Sequence, residues 1–342
     1  MRDAAQLTYM GYCMNIRRYL AICACIILMA TAGCGQKAEG PSLKKVSIAF
    51  QSWIGYGPFY LGAEKGFFKD EGIELFFVDE QLDSARRDAF KEGMLDCEAG
   101  TLDLLVTKRA QDTPVVAVLE LDQSFGGDGI VAAKEIKSLE DLIGKKVAFA
   151  RDDVGETFIS YVFYKRGLLL KDIDIISRES EKVAAAFLNG EADAVVTWEP
   201  WLSAALKRPG AHILISSRNV PGVIIDTLNI REDIVKNDPR LVQGLLRGWF
   251  KAVEYYQEYP LEASEIIAKY YNISADEYRN NITGLKWTGY KEQADPERLK
   301  SWLEVFDTVS DIKFKNGRIG YKPPAQTAID SAFLKKLYED SQ

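Results

Sequence analysis

The pattern of apolar and polar positions first becomes regular at Lys45 to Gln51, where a period of two reads as a half-buried strand. It runs into a cluster of aromatics and glycines, FQSWIGYGPFY (50–60), after which Pro58 to Phe67 reads as a helix with proline in its first turn. Ile73 to Val78 is a second strand, and Ser84 to Glu92 a helix with Asp83 as its N-cap and Gly93 as its stop. Strand-like runs recur at Val115 to Leu121, Gly129 to Ala133, Lys146 to Ala150, Ile173 to Ser177, Ala194 to Thr197, Ile213 to Ser216 and Gly222 to Ile230. Helical patterns separate most of them, the alternation expected of a parallel α/β sheet. After Asp238 helices take over, including Pro239 to Tyr256 and Leu261 to Tyr271. One pattern occurs twice: Phe90-x-x-Gly93-x-x-Asp96 is echoed by Phe187-x-x-Gly190-x-x-Asp193, each a helix end, a glycine stop and an acidic turn before a short strand. Two similar lobes would set the ends of those strands, at Thr101 and Thr197-Trp198, facing each other; the alternative is that helix-Gly-strand is common in any α/β chain.

The N-terminal segment follows different rules. Arg17 and Arg18 precede an apolar run from Tyr19 to Met29 that closes on Ala30-Thr31-Ala32-Gly33-Cys34, a charged, apolar and small-residue succession that reads as an export signal over residues 1–33. The run is shorter than the roughly 18–20 residues that span a bilayer. Its end resembles a bacterial lipobox with Cys34 as the acylated residue, although Thr31 stands where such motifs usually carry Leu; the alternatives are an ordinary secretory signal or an uncleaved anchor. Residues 34–44, small and polar with a proline, would tether lipid to globule. Met14 offers a second start that gives the signal a more usual length.

Composition narrows the chemistry. Loss of residues 1–33 moves the net charge from −7 to −9 with no basic block, which argues against a nucleic-acid partner. Only Cys97 remains in the body, so no internal disulfide staples it. The single histidine, His212, lies in the strand-like AHILISS, which leaves no material for a Ser-His-Asp triad or a His-rich metal site. Walker, GxSxG and CxxC motifs are missing, and no cofactor or enzymatic activity is expected.

In open α/β sheets, ligands sit beyond the carboxyl ends of the strands. That rule gathers Ser52, Trp53, Tyr56, Asp83, Ser84, Thr101, Asp103, Asp153, Glu156, Thr157, Trp198 and Glu199 as candidate ligand-binding residues. Trp53 and Tyr56 would wall the cleft, with Gly55 and Gly57 letting backbone approach the ligand. Trp53 and Trp198 have a core role as their alternative, and Trp198-Glu199-Pro200-Trp201 a helix start with Trp201 buried on its apolar face.

GYGPFYLGAEKGFF (55–68), SARRDAF (84–90), DGIVAAKEIKSLEDLIGKKVAF (128–149) and FLNGEADAVVTWEPW (187–201), with the lipobox, resemble the substrate-binding components of ABC importers. The group is the nitrate, sulfonate and taurine type, which includes binders of thiamine-pyrimidine precursors. The likeness runs from about residue 45 to about 255. It implies the type II periplasmic binding protein fold, two α/β lobes joined by a two-strand hinge, with a helical C-terminal region. Carried over, lobe 1 is 45–127 plus 229–342, lobe 2 is 128–228, and the crossings fall near Gly127 to Ala133 and Val223 to Ile230, which adds Asp128 and Asp226 of the hinge strands to the candidate ligand-binding residues. It also implies an exported, lipid-anchored monomer that closes on one small molecule and delivers it to a permease and its ATPase. The acids and aromatics lean towards a taurine-like aminosulfonate or a cationic or heteroaromatic compound. A receptor or sensor without a permease, or a pyrimidine-precursor binder or synthase of the same fold, are the alternatives.

Overall fold

The computed structural model describes residues 43–80 and 82–342; the expected signal, the site at Cys34 and nearly all of the tether lie outside them. Eleven strands are formed: β1 Lys44–Phe50, β2 Ile73–Val78, β3 Cys97–Thr101, β4 Val115–Ser124, β5 Asp128–Ala132, β6 Lys146–Phe149, β7 Asp174–Ser177, β8 Ala194–Trp198, β9 His212–Ser216, β10 Ile225–Arg231 and β11 Leu285–Trp287. They build two sheets, in the orders β11-β4-β10-β3-β1-β2 and β7-β6-β8-β5-β9. Without β11 the first order matches the second read from its other end, β4-β10-β3-β1-β2 against β9-β5-β8-β6-β7. In each sheet the strand entering from the other half runs antiparallel to both neighbours, β10 between β3 and β4 and β5 between β8 and β9. The sheets are therefore mixed where the alternation predicted parallel. The helices between strands do connect parallel pairs, β1 with β2 and β3, β6 with β7 and β8; the antiparallel strands come from the two exchanges between sheets, which periodicity does not show.

Those exchanges span residues 125–127 and 217–224. β5 and β10 are interior strands of one sheet each, so the chain is back in the first sheet by Ile225, and a division after residue 228 would cut through a ladder. The two crossings run together: Ser124 donates its N–H to the Ile224 carbonyl (3.2 Å), the Ser124 and Ser217 hydroxyls are 2.8 Å apart, and Gly126 N–H donates to Ser217 Oγ (2.7 Å). Gly126 holds φ +112°, a conformation that favours glycine.

The principal helices are α1 Gly57–Lys65, α2 Asp83–Lys91, α3 Leu102–Arg109, α4 Val154–Arg166, α5 Ser180–Leu188, α6 Pro239–Glu258, α7 Pro260–Tyr271, α8 Ala275–Asn281 and α9 Pro296–Lys315. The sequence echo has a structural counterpart. Phe90 and Phe187 are fully buried at the ends of α2 and α5, and Gly93 and Gly190 turn with φ +71° and +77°. Asp96 then accepts the N–H of Ser47 in β1 (2.9 Å), as Asp193 accepts that of Lys146 in β6 (3.0 Å). The same device thus aligns β3 with its sheet and β8 with the other. After β10 the chain packs back on the first sheet, α6 against α1 and β11 against β4, while α9 touches both α3 and α4 and so bridges the halves. Among the described residues no helix is long and apolar enough to cross a membrane.

Candidate functional site

Ladder register brings the acidic and aromatic positions to one place. Thr101, Asp226 and Asp122 occupy one rung across β3, β10 and β4, and Asp128 faces Trp198 across β5 and β8. Opposed residues on an antiparallel pair share a face, so each rung presents its side chains together. With Gln51, Trp53, Tyr56, Val154 and Ile224, the side chains of Thr101, Asp128, Trp198 and Asp226 line a pocket between the sheets. Its cavity is about 10 Å³, on the order of one water.

Trp53 donates Nε1–H to both oxygens of Asp122 (3.2 Å each), Tyr56 donates its hydroxyl to Asp226, and Trp198 donates Nε1–H to the Ser52 carbonyl of the other half (3.4 Å). The two tryptophans and Tyr56 are buried, so the core and cleft-wall roles coincide in them. Thr101 is 5 % exposed, lines the pocket, and its Oγ1 has no hydrogen-bond partner among the described residues.

Three carboxyl groups meet here, none of them ion-paired to a lysine or arginine among the described residues. Burial raises Asp122 and Asp226 well above the usual carboxylate range; Asp226 adds to the shift of Asp122, and Asp128 to that of Asp226. Burial also lifts Asp128 to about 7 against the hydrogen bond from Ser124, with Asp153, Asp103 and Glu199 pushing the same way as burial. The cationic groups nearby are committed elsewhere: Lys313 pairs with Asp103 (3.0 Å), and Arg151 (3.1 Å) and Arg318 (2.5 Å) with Glu156.

The other expected site residues have different surroundings. Asp83 is not an N-cap: Leu82 holds that position without a side-chain bond, and Asp83 pairs with Lys108 and Arg86, which are both buried against Glu98. Ser84 is exposed. Thr157 donates to Asp103 (2.7 Å) beside Lys313, and Glu156 accepts from Asp152 N–H (2.7 Å) and Arg318, so these three tie α4 to α3 and to the end of α9. Glu199 accepts from the N–H (3.1 Å) and hydroxyl (2.9 Å) of Ser203, and Ser52 contributes its carbonyl to Trp198. His212 is on the edge strand β9, paired with Ala132.

Gly55 and Gly57 serve the protein's own packing. A Cβ on Gly55 would collide with the Asp122 carboxylate and the Trp53 indole, and one on Gly57 with the Tyr278 hydroxyl. Sequence reasoning also missed what fixes this segment. Tyr271 donates to the Trp53 carbonyl (2.6 Å), Tyr278 to that of Ile54 (3.1 Å) and Trp287 to that of Gly55 (2.9 Å). Three aromatic donors from the C-terminal region thus satisfy three consecutive buried carbonyls at the pocket wall. Gln51, Val154 and Ile224 were also unforeseen, although Gln51 and Val154 follow the carboxyl ends of β1 and β6; Ile224 instead precedes β10.

A family model described as NMT1/THI5 like matches residues 53–263. A Bacillus subtilis (strain 168) protein named for the binding of aliphatic sulfonates is 26 % identical over 342 residues, which cover 94 % of this chain and 96 % of that one. The taurine-binding periplasmic protein of Escherichia coli (strain K12) is 25 % identical over 183 residues, 50 % of this chain and 54 % of its own. The crystal structure of the periplasmic aliphatic sulphonate binding protein SsuA from Escherichia coli matches with a TM-score of 0.71 at 18 % identity, over 85 % of this chain and 93 % of that one. The architecture is the periplasmic binding protein fold.

Proposed function

The chain belongs to the NMT1/THI5-like family, and from that membership and the pocket between its sheets we propose that it is an exported solute-binding lipoprotein that captures a small organic molecule and hands it to an ABC importer permease. The two sheets with their helices are its lobes, divided at the crossings 125–127 and 217–224. The observation that carries this reading is the pocket itself. Strand ends and turns of both sheets supply its wall, from Trp53, Tyr56 and Thr101 on one side and Asp128, Val154 and Trp198 on the other. A ligand held there touches both lobes, so it binds the closed arrangement better than any open one and shifts the population towards it. Pockets for small organic ligands are typically some 300–1,000 Å³; with a cavity of about 10 Å³ the faces must part to admit one. Capture rather than catalysis also fits the thiol inventory, since burial raises the Cys97 thiol well above its usual range and keeps it a protonated core group.

The test is a melting-temperature screen of the purified full chain in mild detergent against sulfonates, taurine, nitrate, amines, guanidines and pyrimidines. A ligand at one hundred times its Kd contributes about 2.7 kcal/mol, a shift on the order of 4 °C for a body of this size. Trp198→Ala should weaken the same ligand about tenfold with cooperative melting retained. A screen in which no class shifts the melting temperature sinks the proposal. Lipidation at Cys34 has its own check: the wild type should carry a lipid mass and enter the detergent phase, and Cys34→Ser should do neither. A wild type that stays in the aqueous phase refutes the anchor.

A further inference from the structure

We propose that the ligand of this pocket is an organic cation, an ammonium, amidinium or guanidinium group on an aromatic or apolar body, with the cation held between Asp128 and Asp226 and hydrogen-bonded to Thr101. The inference rests on the capture role above and specifies what is captured.

Three observations carry it. Asp122, Asp128 and Asp226 converge from three strands, and no lysine or arginine is ion-paired to any of them among the described residues, while Lys313, Arg151 and Arg318 are already paired to Asp103 and Glu156. Asp122 and Asp226 each accept a neutral donor, the Trp53 indole and the Tyr56 hydroxyl, which aligns the carboxyl groups without supplying a counter-charge. Thr101 Oγ1, buried and without a partner, is a polar atom of the pocket wall that a ligand donor or acceptor would satisfy. Buried charge is tolerated where it is paired, and a ligand cation supplies what the chain does not. Trp53, Tyr56 and Trp198 add aromatic surface suited to the cation's face and to its apolar body. A sulfonate in the same place would meet carboxyl oxygens and find no basic group to pair it, since Lys313, Arg151 and Arg318 are held by Asp103 and Glu156. The relatives named for sulfonates therefore share the fold without fixing the ligand class here.

Proton linkage separates the two classes. Asp128 is acted on by Asp153, Asp103 and Glu199 and lies near Asp226, with Lys313 bound to Asp103. A cation lowers the proton affinity of these carboxyls and so expels protons on binding; an anion raises it and takes protons up.

The experiment is titration calorimetry on the full chain at pH 7 in two buffers of different ionisation enthalpy, with phenethylamine, benzamidine and agmatine as cations and butanesulfonate, taurine and nitrate as comparators. The expected result is binding of at least one cation with proton release, weakened at least tenfold at pH 5 and in Asp128→Asn, and several-fold in Thr101→Val. Each variant's melting curve confirms that it is folded. Binding of sulfonate or nitrate with no cation overturns the cation assignment and leaves the capture role standing. Binding of neither class by a cooperatively melting protein overturns both. A cation that binds Asp128→Asn as tightly as wild type places its site elsewhere and overturns the assignment.

Discussion

Asp128→Asn raises the melting temperature of the protein at pH 8 by roughly 5–7 °C and leaves it unchanged near pH 4. The folded protein holds the Asp128 proton up to about pH 7, because burial disfavours the charge, whereas an unfolded chain releases it near pH 4. Between those values the folded state binds more protons, so this group's contribution to stability is intact below about pH 4 and is lost as pH rises to 7. Three pH units correspond to about 4 kcal/mol, which for some 300 residues is the stated shift in melting temperature. Asparagine keeps the shape and an acceptor for Ser124 but has nothing to ionise. Calorimetric scans of both proteins from pH 4 to 8 should show a gap that opens with pH; a gap of constant size would mean that Asp128 titrates normally. A stabilising substitution at the pocket wall would mark Asp128 as a residue kept for binding at the expense of stability.

Glu120→Ala is expected to cost about 3–5 kcal/mol and to lower the melting temperature by roughly 5–8 °C at neutral pH. Glu120 is fully buried in β4, where its carboxylate accepts from Thr288 Oγ1 (2.6 Å), from the Arg298 guanidinium Nε (3.0 Å) and from the Trp302 indole. Its backbone is gripped as well: Gln293 accepts its N–H (3.0 Å) and donates to its carbonyl (2.8 Å). Removing the carboxylate strands a largely buried guanidinium and unties α9 and the segment before it from the strand that carries Asp122. Denaturant unfolding of the two proteins measures this; a loss under 1 kcal/mol would show that the network is dispensable. The change should also weaken ligand binding, since Asp122 lies two residues away on the same strand.

Much of this was legible in the chain before any coordinates. Ile73 to Val78 forms a strand with the predicted bounds, because apolar continuity between glycine and acidic turns leaves few alternatives. The carboxyl-end rule picked Trp53, Tyr56, Thr101 and Trp198, and the hinge strands implied by the family resemblance added Asp128 and Asp226; the fold brings all six to one pocket. The rule also picked Asp83, Asp103, Glu156 and Thr157, which the fold ties into ion pairs and hydrogen bonds with Lys108, Lys313 and Arg318. Those partners lie from 25 to more than 200 positions away, and nothing in local pattern announces them. The same holds for Tyr271, Tyr278 and Trp287, whose residue types suggest core rather than donors to the carbonyls of a distant turn. The antiparallel placement of β5 and β10 was hidden for another reason: periodicity reports which face is buried, not which neighbour a strand meets.

The bridging helix α9 gives the molecule a mechanical grain. Along one flank, Lys313 reaches Asp103, Asn316 donates to Ser160 (3.2 Å) and Arg318 holds Glu156, so the end of α9 is bonded to α3 and α4 at once. Near Trp198 the halves are linked by a long hydrogen bond (3.4 Å) to the Ser52 carbonyl. A wedge driven between the sheets would meet charged rivets on the first flank and a long, weak hydrogen bond on the second. Solute traffic would then use the Trp198 rim as its doorway, while the α9 flank works as a spine, much as a book parts at its fore-edge and stays bound at its back.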